Sequence, residues 1–83
     1  MKLTAKAAKE VCAEATTRNV FIGRIEAGHW LNSGFRPDGN ATWDAKSELE
    51  SAGRFQQNNQ LAIKNIADDK REGYNTFIIT TVR

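Results

Sequence analysis

The sequence predicts an α+β fold in which two helices pack on a three-stranded, largely antiparallel sheet, in the order helix–strand–strand–helix–strand. Three observations lead there. Small apolar residues recur at helical spacing near the N-terminus, and a longer helical pattern runs from Asp44 to Glu72. Between and after them lie segments rich in β-branched and aromatic residues, punctuated by glycine and one proline. At 83 residues, 40% hydrophobic and 27% charged, the chain has the composition of one globular domain spanning 1–83.

The first helix begins after Thr4, whose hydroxyl can accept an early backbone N–H, with Leu3 and Ala8 placed as a hydrophobic staple. Ala8, Val11, Cys12 and Ala15 form a narrow face of small residues that could lie close to a sheet. Thr16–Thr17 and Asn19 close it. Val20 to Glu26 reads as a strand with Phe21, Gly23 and Ile25 on one side. Ala27–Gly28 reads as a tight turn and His29–Trp30–Leu31 as the returning strand. Ser33–Gly34 and Pro37–Asp38–Gly39–Asn40 carry turn chemistry, which makes Phe35 and Arg36 a short raised segment.

From Asp44 to Glu72, Ala45, Leu49, Ala52, Phe55, Ala62, Ile63, Ile66 and Ala67 fall in one stripe. Gly53 costs about 1 kcal/mol against alanine inside a helix, and Asn59 with Gln56 falls within the stripe. Either the helix breaks near Gly53, or the amides lie at the core edge with hydrogen-bond partners. One long helix, bent at the glycine, is the expectation. Gly73 stops it, after Lys70 and Arg71 in the last turn. Asn75 to Val82 is a strand with apolar groups on both faces, to be placed centrally or on a covered edge.

Charge and composition exclude several functions. Twelve basic against ten acidic residues leave +2, too little to imply a phosphate-backbone binder, and the signs alternate along the chain. One cysteine, Cys12, forbids an internal disulfide and favours the cytoplasm. No run approaches the roughly 20 apolar residues of a membrane span. Cys12 and His29 fall short of a zinc ligand set, no glycine-rich phosphate loop is present, and the serines lack a triad. No cofactor and no metal is implied.

The positive signal is the turn-rich stretch from Asn19 to Asp38. Aromatics and arginine together are enriched at binding hot spots, which selects Trp30, Phe35, Arg36, Arg24 and Trp43 as partner-contacting residues. For the two tryptophans, burial in a small core competes with this role. The amide run Gln56–Gln60 is a further polar surface. The favoured reading is a small, non-catalytic cytoplasmic binding protein that covers a site on a larger protein or complex. Phages and mobile elements encode such proteins as inhibitors of host defence. An alternative is a nucleic-acid binder using arginines and aromatics of the central hairpin. A second alternative rests on Gly28–His29 and the element order, which resemble those of the HicA-type toxins. That resemblance implies a small ribonuclease-like toxin with His29 as general base. A homodimer, through an edge strand or the first helix, stays open.

Overall fold

A computed structural model describes residues 2–31 and 34–82. The elements are β1 (Lys2–Leu3), α1 (Ala5–Thr17), β2 (Phe21–Leu31), β3 (Gly34–Asp44), α2 (Ser47–Ser51), α3 (Phe55–Arg71) and β4 (Thr76–Val82). The domain is α+β, but its described residues form three helices and a four-stranded antiparallel sheet, ordered β1-β4-β2-β3. The expected two helices and three strands are corrected on both counts.

The expected hairpin turn at Ala27–Gly28 does not exist, because β2 runs straight through both residues. Its return strand is β3. The turn expected at Pro37–Asn40 is instead a bulge within that strand: Thr42 pairs with Glu26 and Pro37 with Gly28, so four β3 residues face Ala27 alone. Of the Ser33–Gly34 turn, Ser33 lies outside the described residues. The short β1 adds a strand on the far side of β4, pairing Lys2 with Ile78 and Leu3 with Phe77.

The long helix expected over 44–72 is broken. Gly53 takes φ +66°, a left-handed conformation that ends α2 and that a side chain would resist. Helix α1 begins at the expected cap, with Ala7 N donating to Thr4 Oγ1 at 3.2 Å. It buries Ala5, Ala8, Cys12 and Ala15 against α3 and the sheet. From α3 come Ala62 and Ile66, and from the sheet Ile22, Ile25, Ala27 and Phe77.

The expected alternation of Phe21, Gly23 and Ile25 is shifted by a second bulge, between Ile22 and Arg24. The extra residue changes which side chains face the helices, so Ile22 and Ile25 are both fully buried. Two asparagines of α3 meet the bulge. Asn59 Oδ1 accepts from Ile22 N at 3.1 Å, and its Nδ2 donates to Val20 O at 2.8 Å and Thr16 Oγ1 at 3.1 Å. Asn58 Nδ2 donates to Ile22 O at 2.8 Å. Backbone groups that lose ladder partners at a bulge are thus satisfied from the helix.

Candidate functional site: a two-stranded arm

Strand β2 is paired on both edges only as far as Gly28, whose partners are Thr76 on β4 and Pro37 on β3. From His29 to Leu31 it pairs with β3 alone, through His29–Arg36, Trp30–Phe35 and Leu31–Gly34. An arm of two strands therefore extends past the end of β4. At about 3.3 Å per residue the eleven-residue β2 spans roughly 35 Å, most of the long dimension of a molecule measuring 40 × 22 × 22 Å.

Alternation along the arm gives it two faces. Trp30 and Phe35 are cross-strand partners and share one, continuous with the face of the sheet that bears Arg24 and Glu26. His29, Arg36 and Leu31 share the other. Trp30 is 53% exposed and Leu31 41%, so large apolar groups face water on both sides of the arm. Phe35 is half-buried and Arg36 exposed. Between the arm and the start of the chain lies a shallow groove of about 450 Å³, lined by Leu3, Thr4, Trp30, Asn75 and Thr76.

The arm brings together Trp30, Phe35 and Arg36 among the residues selected from sequence, and leaves Arg24 and Trp43 elsewhere. Arg24 lies six residues back on β2, roughly 20 Å away along the strand. Its guanidinium meets Asp44 at 2.7 Å, an exposed ion pair that raises the arginine pKa further. Trp43 pairs with Ile25 and is half-buried, packed against the core. Leu31, Tyr74 and Asn75 were not selected. Leu31 carries no mark beyond its position next to Trp30, Tyr74 lies in the turn between α3 and β4, and Asn75, expected to begin the last strand, lies one residue before it.

His29 is exposed, its ring 5.2 Å from that of Tyr74. The tyrosine hydroxyl donates to Asp38 on the β3 bulge at 2.5 Å, which pushes its pKa up to about 12. Of the amide run, Asn58 and Asn59 are buried in the hydrogen bonds above, leaving Gln56, Gln57 and Gln60 at the surface. Arginines do not converge: Arg18 follows α1 and is paired with Glu14 at 2.8 Å, and Arg54 precedes α3, away from the arm. No group of three metal-ligating side chains occurs among the described residues, and no helix there is long and apolar enough to cross a membrane.

The family described as colicin-E5 Imm protein matches residues 1–82. This chain belongs to that immunity-protein family. A colicin-E5 immunity protein of Escherichia coli is 50% identical over 80 residues, covering 96% of each chain. A colicin-E5 immunity protein in ColE9, also from Escherichia coli, matches to the same extent. Immunity protein CdiI of Burkholderia pseudomallei is 32% identical over 80 residues, covering 96% of this chain and 72% of the relative. Immunity proteins act by binding and not by catalysis, and this member is not an enzyme.

Proposed function

We propose that this immunity protein binds and neutralises a colicin-type toxin, and that the β2–β3 arm is the part the toxin grips. Family membership across residues 1–82 supports a toxin as the larger protein to be covered. The arm itself is supported by one observation above the others: Trp30 and Leu31, adjacent in sequence, expose apolar surface on opposite faces of a two-stranded arm. A two-stranded hairpin is marginal in water on its own, and a cleft that closed on both faces would bury this surface.

Trp30 and Phe35 fill the apolar part of such a cleft, and Arg36 supplies a directional charge at its rim. Among the described residues of the arm, 29–31 and 34–37, there is no carboxylate, so the fitting cleft is apolar with acidic groups at its edge. Arg24, on the same face of the sheet as Trp30, adds a peripheral contact. Trp43 acts mainly from the core side. The expected phage- or mobile-element-encoded inhibitor of host defence gives way here to an antagonist of a toxin, acting in the cytoplasm of the cell it protects.

Binding of colicin E5 to the parent protein and to Trp30→Ala, followed by calorimetry, tests this. The parent should form a one-to-one complex, and truncating the indole should weaken it at least thirtyfold, about 2 kcal/mol or more. Equal affinities would remove the arm from the interface.

A further inference from the structure

The arm leaves the sheet where β4 begins, and the turn before β4 holds it from both strands. Asn75 N donates to Gly28 O at 3.2 Å, and Asn75 Oδ1 accepts from Trp30 N at 3.1 Å. Thr76 Oγ1 donates to the same Oδ1 at 2.9 Å, fixing the amide's orientation. One residue before, Tyr74 lays its ring beside His29 of β2 and donates a hydrogen bond from its hydroxyl to Asp38 of β3. The side chain of Asn75 in effect extends the ladder one step beyond the last β4–β2 pair. Gly28 makes this root tight: a Cβ there would lie 2.2 Å from Arg36 O and 2.8 Å from Pro37 Cα.

We propose that Tyr74 and Asn75 are positioning residues for toxin binding, holding the arm in its bound orientation before the toxin arrives. The proposal rests on the reading of the arm as the interface. Both residues act through Trp30, His29 and Asp38, which they brace. An arm released from this brace samples other directions, and its affinity falls in proportion to the time spent in the competent one. If release leaves the arm aligned a tenth of the time, binding weakens tenfold, with no contact to the toxin removed.

The test compares Asn75→Ala, Asn75→Asp, Tyr74→Phe and Trp30→Ala with the parent, using colicin E5 as the probe. Affinity and amide hydrogen exchange are measured on each. Asn75→Ala and Tyr74→Phe should each bind about tenfold more weakly. Amides of His29–Leu31 should exchange faster in them while those of Ile25 and Ile66 keep their protection. Asn75→Asp, which keeps an oxygen for Trp30 N, should bind within about twofold of the parent. A Trp30→Ala protein that binds like the parent sinks the interface reading itself. If Trp30→Ala weakens binding but a loosened arm in the other variants binds undiminished, the positioning role is overturned. Loss of protection at Ile66 as well would also overturn it, by making the turn a general support of the fold.

Discussion

Asn59 occupies a position in the helical stripe where an apolar residue is expected, and the bulge in β2 explains why. Its amide closes one buried donor and two partly buried acceptors, which an aliphatic side chain would leave open. Asn59→Ala should cost about 3 kcal/mol in denaturant unfolding, because stranded buried polar groups each carry a penalty of about 1–3 kcal/mol. Asn58→Ala removes one bond to the backbone, from Nδ2 to Ile22 O, and one to Asn59 Oδ1, and should cost less. Asp69 is the opposite case. Burial, then the nearby Glu72, push its carboxyl pKa up, against a hydrogen bond from Asn65. A carboxyl whose folded pKa is raised binds its proton more tightly folded than unfolded, so stability falls as pH rises through that window. Asp69→Asn should therefore raise the unfolding midpoint at pH 7 and leave it nearly unchanged at pH 3. The sequence displayed Asn59 as an anomaly in the stripe, with hydrogen-bond partners as one explanation. Those partners come from 37 to 43 residues away, beyond the reach of any local pattern.

At the scale of elements, helix α1 and strand β4 were legible because cap, period and composition agree within each. The hairpin was not. Ala27–Gly28 resembles a turn, but Gly28 is there for close approach of Arg36 and Pro37 inside a continuous strand. Likewise Pro37–Asn40 has turn residues but lies in a bulge inside β3. Reading both as turns put the strand ends in the wrong places and hid β3 altogether. The helix break followed from Gly53, whose conformation is left-handed and so incompatible with one bent helix. Gly53→Ala should destabilise by about 1 kcal/mol. Gly28→Ala should cost several kcal/mol by forcing the arm strands apart, and should show its largest loss of exchange protection at His29–Leu31.

For the whole molecule, the proposed site is an extension of the sheet and not a cavity. The same arm that lacks a third strand offers apolar surface on both faces, so the proposed interface links its stability to its affinity for a partner. Alkaline pH probes the core around it. Burial pushes the Cys12 thiol up to about 11, above an unfolded value near 9. The folded form therefore keeps a proton that the unfolded chain has lost, and stability falls as pH rises from about 9 toward 11. By pH 10.5 this amounts to about 2 kcal/mol, and Cys12→Ala should abolish that part of the pH dependence in urea unfolding. Of the proposed site, Trp30, Phe35 and Arg36 are selected by residue type, whereas the proposed brace from Tyr74 and Asn75 is not, because it depends on where β4 begins.

The most direct measurement is calorimetric titration of colicin E5 with the parent and with Trp30→Ala. A one-to-one complex with submicromolar Kd, weakened at least thirtyfold by the substitution, is the expected result. Absence of a complex with the parent would contradict toxin neutralisation of this type, and an undiminished complex with Trp30→Ala would contradict the arm as its interface.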